Sequence, residues 1–243
     1  MCTVSFLARQ HGYALAMNRD EQWTRVAGLP PARHRIQNRE VLAPTEPGGG
    51  KWIAVNDGGV TVALVNWYSV TARVSGKSVS RGQVVHAGCA AQSVRQAEAA
   101  LGRLPLHQIN PFRLIGVFPA TREIVEWRWD LRAWDCQPHP WKNRQWISSG
   151  WDEPAAQRIR SRTFRAAWTQ TSAGRLDWLR RLHRSHAPER GPFSTCMHRA
   201  DAGTVSYTEI KVARRHATLR YLPGTPCQKV KPHVLHLAWD AAD

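Results

Sequence analysis

Cysteine is sparse and unpatterned in this chain. Its 243 residues include five cysteines, at positions 2, 89, 136, 196 and 227, an odd set with no C-x-x-C and no metal-ligand spacing. A disulfide framework is therefore not expected, and the thiols read as reduced. The histidines never form an H-E-x-x-H pattern, and His183 and His186 fall in a basic helical stretch where solvated side chains are expected rather than ligands. No run approaches about 18 consecutive apolar residues, so no membrane span is expected. The start of the chain has no basic region followed by a long apolar segment, so no secretory signal is expected either, and the expected address is cytoplasmic. Internal repeats and low-complexity linkers are also missing. Residues 1–243 therefore read as a single domain with a sizeable core.

Acidic residues are scarce as well. Eighteen Asp and Glu stand against 34 Lys and Arg, for a net charge of +16. Such a charge favours anionic partners: nucleic acid, an acidic membrane surface or an anionic small molecule. The basic residues are spread from Arg9 to Lys231 without a tail or stripe. An arginine-rich composition accounts for that pattern better than dedicated nucleic-acid binding, so nucleic acid is the least expected partner. The oligomeric state is not specified by the sequence. Aromatics, in contrast, are rich in tryptophan, with 12 copies. Trp127, Trp129, Trp134 and Trp141 lie close together and are expected to line a pocket or a helix–sheet seam.

The first twenty-one residues carry the densest signal. Two apolar runs, Cys2 to Ala8 and Tyr13 to Met17, flank Arg9-Gln10-His11-Gly12, the pattern of a β-hairpin. A turn centred between Gln10 and His11 makes paired residue numbers sum to about 21. Cys2 then lies across from Arg19, beside Asn18 and Asp20. A small residue at position 2 permits removal of Met1, which would leave Cys2 with a thiol and a free α-amine. The amine, with an unperturbed pKa of about 7.7–8.0, is suited to accept the thiol proton. Arg19 is placed to stabilise a thiolate and Asp20 to hold the amine. The competing reading is a buried structural cysteine beside a surface salt-bridge cluster.

Further elements follow from pattern. Trp23 to Pro47, with Pro30-Pro31, Pro44 and Pro47, reads as a loop with a short strand at Glu40 to Ala43. Lys51 to Val55 and Val60 to Asn66 form a second hairpin around Asn56-Asp57-Gly58-Gly59. Asn66 ends that strand, where an uncharged amide donor can face an oxyanion or simply cap the strand before Trp67. Ser80 to Leu101 shows helical spacing with Ser80 as cap and Gly102 as stop, and it buries Cys89. Phe112 to Phe118 and Ile124 to Trp129 form a third hairpin, and Gln145 to Ser148 a further strand. Two helices, about 154–170 and 173–185, precede three strands at Thr204 to Val212, Ala217 to Tyr221 and Val234 to Ala238. Strands, helices and strands again give an α+β class.

Met1-Cys2, followed by Met17-Asn18-Arg19-Asp20-Glu21, resembles the NRDE family, also called the Transport and Golgi organisation 2 family. Gly48-Gly49-Gly50-Lys51-Trp52-Ile53-Ala54-Val55-Asn56, Gly59 to Asn66 and Ser80-Arg81-Gly82 resemble it too. The likeness is specific from Met1 to about Ala90 and looser beyond. That family is similar to N-terminal-nucleophile hydrolases of the choloylglycine hydrolase and penicillin acylase branch. The resemblance implies a four-layer αββα sandwich, with Cys2, Arg19, Asp20 and Asn66 as catalytic residues, Asn66 matching an oxyanion-hole asparagine. It also marks two departures. Ser148-Ser149-Gly150 stands where relatives carry a Ser-Asn pair, and Val205 stands where they carry a late arginine. Arg199 is a neighbouring source of that charge. Asn18, Trp67, Ser149 and Arg199 are accordingly candidates for substrate binding. The leading expectation is an N-terminal cysteine hydrolase cleaving a non-peptide or short-peptide C–N amide bond, with no metal and no organic cofactor. Its rivals are a non-catalytic carrier of a haem or an acyl-thioester on the same fold, and a nucleic-acid-associated basic protein.

Overall fold

The first hairpin forms with the register its spacing implies. Strand β1 (Cys2–Arg9) returns as β2 (Gly12–Gln22), with Cys2 opposite Arg19 and Arg9 opposite Gly12. Gly12 has φ +114°, and a Cβ there would lie 2.1 Å from the Val212 carbonyl oxygen, so only glycine closes this turn. Val4, Phe6, Leu7 and Tyr13 to Met17 are all buried, which explains two apolar runs without strict alternation. The computed structural model describes residues 2–239. The expected removal of Met1 lies outside them.

The short strand expected at Glu40 to Ala43 forms within β4 (Arg39–Thr45), and part of the expected loop before it is a further strand, β3 (Leu29–Ile36), paired with β4 at the sheet edge. Pro30 and Pro31 sit where the β3 register shifts between Leu29 and Ala32. At a bulged edge strand a missing N–H removes no ladder bond, so prolines that read as breakers are tolerated. Next come β5 (Ile53–Asn56) and β6 (Thr61–Asn66). The single helix expected over 80–101 is two short ones, α1 (Gly82–Gly88) and α2 (Val94–Leu101). Buried Asn56 accounts for the break. Its Oδ1 accepts from the Gly58 and Val60 amides, and its Nδ2 donates to the carbonyls of Cys89 and Ala91 at 3.1 and 2.8 Å. Ser93 then caps α2 by accepting from the Gln96 amide.

Strands β7 (Phe112–Phe118), β8 (Glu123–Trp129) and β9 (Trp134–His139) form a meander. The last has no alternating pattern and contains Pro138, features an edge strand permits. After β10 (Arg144–Ser148) come helices α3 (Glu153–Ala167) and α4 (Leu176–Arg184). Strands β11 (Ala202–Val212), β12 (His216–Pro223) and β13 (His233–Ala238) complete the described chain.

Two antiparallel sheets result, ordered β10-β1-β2-β11-β12-β13 and β3-β4-β5-β6-β7-β8-β9. Among the described residues, the three larger apolar cores connect the elements. One joins the facing sheets through Val4, Phe6, Leu15 and Met17 against Val55, Ala63, Val65 and Ile115. A second joins β6 and β7 to α1 and α2 through Val62, Leu64, Leu114, Val84, Val85 and Leu101. A third packs Phe164, Trp178, Leu179 and Leu182 on Leu7, Ala14, Ala16 and Tyr207. The outcome is a mixed, sheet-rich fold. Trp127, Trp129 and Trp134 belong to the helix–sheet core and Trp141 packs against the sheet–sheet core, so they fill seams and do not line the cleft described below. Among the described residues, no helix is long and apolar enough to cross a membrane.

Candidate active site

Cys2 opens β1, between Ser148 on β10 and Arg19 on β2. Strand alternation puts its side chain with Val4 and Phe6, on the face turned to the other sheet. It is therefore the end residue of the inter-sheet core, 8% exposed. There it meets a cleft of about 350 Å³ whose walls include Cys2, Arg19, Asp20, Glu21, Trp52, Leu64 and Asn66. Asn66 reaches the cleft because β6 ends at that residue. Its Nδ2 donates to the Tyr68 hydroxyl at 2.9 Å, which leaves a second N–H on the same nitrogen.

Charge is concentrated here. The Arg19 guanidinium lies 4.6 Å from the Trp52 ring centroid and 2.8 Å from Glu46 Oε1. Arg19 also lies 3.5 Å from Glu21 Oε2, and Arg25 bridges the same two acids, Glu46 at 2.8 Å and Glu21 at 3.3 Å. Lys51 and Arg81 line the cleft too. No carboxylate lies within ion-pair distance of either among the described residues. They are adjacent because Gly82 packs against Gly50: a Cβ on Gly82 would sit 2.5 Å from the Gly50 Cα. Burial, with Arg73 and Arg25 nearby, holds the Arg81 guanidinium below its usual range, against the pull of Tyr68 and Glu21. The Cys2 thiol is raised, first by burial and then by the Asp20 charge, while Arg19 and a hydrogen bond from the Asp20 backbone lower it. A thiol so placed needs a base to become a thiolate.

Asp20 follows Arg19 on the strand, so its side chain points to the opposite sheet face, towards α3. Its Oδ2 lies 3.3 Å from an Arg160 nitrogen and its Oδ1 accepts from Thr204 Oγ1 at 2.6 Å. Both charged side chains are wholly buried. Arg160 also donates to Thr3 Oγ1 at 2.7 Å and to the Pro192 carbonyl at 3.1 Å. Asp20 is thus oriented by α3, by β11 and by the segment before β11.

Asn18, expected among the substrate-binding residues, also points to that face. Its Nδ2 donates to the carbonyls of His183 and Thr195, and its Oδ1 meets His183 Nδ1 at 3.0 Å. The whole side chain is buried and engaged away from the cleft. His183, expected to be solvated, is its fully buried partner. Since Asn18 Nδ2 already donates twice, Oδ1 is the acceptor and Nδ1 of His183 carries the proton. Nε2 then accepts from Ser5 Oγ at 2.9 Å. Burial, with Arg160 nearby, pulls this imidazole down to about 3.

The other three candidates for substrate binding sit outside the cleft lining among the described residues. The Trp67 amide donates to the Pro111 carbonyl. Ser149 Oγ accepts from the Trp151 amide at 3.3 Å. Arg199 stacks 4.5 Å from the Trp151 ring centroid and pairs with Asp201 at 2.7 Å. Sequence reasoning overlooked Lys51, Trp52, Arg81 and Arg160 as individual residues. The first three lie in the stretches Gly48 to Asn56 and Ser80-Arg81-Gly82, whose family resemblance was itself the available signal. Arg160 signals itself only as a charged residue on the buried stripe of α3.

Comparison with known proteins gives a family and a fold. The family model described as Transport and Golgi organisation 2 matches residues 1–126. No curated protein sequence matches the chain. Similar solved structures include a mutant conjugated bile acid hydrolase from Clostridium perfringens, 10% identical with a TM-score of 0.58, covering 97% of this chain and 92% of that one. A second variant of that hydrolase is 8% identical with a TM-score of 0.56, and all of each chain is covered. Penicillin V acylase from Agrobacterium tumefaciens is 11% identical with a TM-score of 0.54, covering 98% of this chain and 86% of the other. At such identities the likeness is one of fold.

Proposed function

This chain belongs to the Transport and Golgi organisation 2 family, and from that premise we propose that it is an N-terminal cysteine hydrolase cleaving a C–N amide bond in a small anionic substrate. The observation that carries the proposal is that Cys2, Arg19 and Asn66 border one cleft with Asp20, whose carboxylate is turned to the opposite sheet face at the same end of the hairpin. With Met1 removed, the α-amine of Cys2 takes the thiol proton and the sulfur attacks the substrate carbonyl. The free N–H of Asn66 Nδ2 donates to the developing oxyanion. Asp20, oriented by Arg160 and Thr204, holds the α-ammonium. Collapse of the tetrahedral adduct breaks the C–N bond and passes the proton to the leaving amine. Water then hydrolyses the acyl-cysteine. Lys51 and Arg81 supply the positive wall for a carboxylate or phosphate on the substrate. The similar structures, a hydrolase and an acylase, support acyl chemistry on this fold.

The helix–sheet–sheet–helix packing of the three cores supports reading residues 1–243 as one four-layer αββα domain. The charged cleft favours the hydrolase over a carrier of haem, whose apolar macrocycle needs apolar walls. A concave cleft of about 350 Å³ also suits a small molecule better than a duplex.

The test is a screen of anionic amides against three forms: wild type, Cys2→Ser and protein with Met1 retained. Wild type should turn over a hit. Cys2→Ser should lose most turnover while keeping affinity, because its hydroxyl ionises far less readily than a thiol. Retained Met1 should abolish activity by removing the base. Equal turnover by all three would rule out Cys2 as the nucleophile.

A further inference from the structure

On the far side of the segment that buttresses Asp20 lies a second cluster, which the hydrolase chemistry does not use. His186 follows α4, Cys196 and His198 precede β11, and Cys227 follows β12. One donor atom from each lies within 4.8 Å of every other. His198 Nε2 is central to the group, 3.1 Å from His186 Nε2, 3.6 Å from Cys196 Sγ and 3.7 Å from Cys227 Sγ.

Hydrogen bonding does not account for this arrangement. A neutral ring nitrogen has either one proton or one lone pair, so His198 Nε2 can satisfy one of its three neighbours. The Cys196 thiol also meets the Cys227 thiol and backbone, but a bond from His198 to His186 leaves neither sulfur a role toward the nitrogen on which both converge. Tetrahedral zinc fits all three contacts. With Zn–N of about 2.0–2.1 Å and Zn–S of about 2.3 Å, tetrahedral geometry separates two nitrogens by about 3.3 Å, and a nitrogen from a sulfur by about 3.6 Å. The observed 3.1, 3.6 and 3.7 Å lie close to those values.

We infer that His186, Cys196, His198 and Cys227 form a structural site for one Zn2+ ion. Four protein donors close the coordination sphere, as in structural rather than catalytic zinc sites. Binding sends the two thiol protons to solvent, and two thiolates balance the ion's charge. Coordination through Nε2 leaves the proton of His198 on Nδ1. The Arg190 guanidinium, 3.3 Å from Nδ1, then turns away, which its exposed position permits. The ion clips a strap whose remaining contacts face the candidate active site. The Pro192 carbonyl accepts from Arg160, the Thr195 carbonyl accepts from Asn18, and the Met197 amide donates to Thr204 Oγ1, which donates to Asp20. The inference stands independently of the hydrolase reading.

The experiment uses the full chain purified under reducing conditions, with metal content measured by plasma mass spectrometry. Metal-free protein is then titrated with Zn2+ and, separately, with Co2+. One zinc per chain is expected, with Kd in the nanomolar range or tighter. Co2+ should give a sulfur-to-cobalt charge-transfer band and the strong visible bands of a tetrahedral site. Metal removal should lower the thermal midpoint by about 5–10 °C. Cys227→Ser, at a solvent-accessible position, should lose the cobalt spectrum and weaken zinc binding at least a hundredfold, whereas Cys136→Ser should keep both. Zinc binding no tighter than micromolar by wild type overturns the inference. So does a Cys196–Cys227 disulfide in the reduced preparation, or unchanged binding in Cys227→Ser. If that variant does not fold, the wild-type zinc and cobalt titrations decide alone.

Discussion

Acidification tests the buried His183–Asn18–Ser5 network most directly. An unfolded imidazole has a pKa of about 6.5, whereas burial with Arg160 nearby holds His183 at about 3 in the folded protein. A histidine with a depressed folded pKa contributes stability above its unfolded value, and that stability is lost as pH falls towards the folded value. At pH 5 the unfolded state has bound a proton that the folded state still refuses. The difference spans about 1.5 pH units below the unfolded pKa, at about 1.4 kcal/mol each, so wild type loses about 2 kcal/mol between pH 7 and pH 5 from this residue alone. For a chain of this size that corresponds to about 4–8 °C in the thermal midpoint. His183→Gln removes the titrating group. The variant is less stable throughout, because it alters a fully buried hydrogen-bonded site, but its stability curve should be flatter over this window. The assay is urea unfolding of both proteins at pH 8, 7, 6 and 5, with Tm as a second readout. Parallel curves from pH 8 to pH 5 would refute the reasoning, since they would mean that His183 accepts a proton in the folded state.

Two further predictions concern the charges around Cys2. Arg160→Met should destabilise the protein by about 3–5 kcal/mol, because it removes the buried counter-charge of Asp20. Adding Asp20→Asn should cost clearly less than the sum of the single changes, with a coupling of about 1–3 kcal/mol in denaturant unfolding; simple additivity would contradict the ion-pair assignment. Arg81→Gln should raise KM for an anionic amide at least tenfold with little change in kcat, consistent with losing a charged hydrogen bond. A neutral analogue should be unaffected, and an equal loss for both substrates would remove Arg81 from substrate recognition.

The β1/β2 hairpin was legible because every contribution to it is local. Two apolar runs, a polar turn and Gly12 specify a register that brings Arg19 to Cys2. Helices α3 and α4 were legible for the same reason: their apolar stripes repeat over several turns, and Pro154 marks the start of α3. Legibility failed where distant groups settled the local outcome. Residues 80–101 have helical spacing throughout, yet Asn56, more than thirty residues away, takes the carbonyls that a continuous helix would have used. Strands β3 and β9 carry prolines and little alternation, and they persist because sheet edges tolerate both.

The candidate site divides in the same way. Local spacing determined that Cys2, Arg19 and Asp20 share one end of a hairpin, and strand periodicity alone puts Arg19 and Asp20 on opposite faces. The sequence could not say what meets each face, because that depends on which elements pack there. Tertiary structure brought Trp52, Glu46 and Asn66 to the Cys2 side, and Arg160, Thr204 and the 192–198 strap to the Asp20 side. It likewise gathered His186, Cys196, His198 and Cys227, whose spacing in the chain resembles no ligand pattern. Turns and periodic burial act over a few residues and can be read from a string. Counter-charges and ligand clusters are assembled by topology, and only the folded chain decides them.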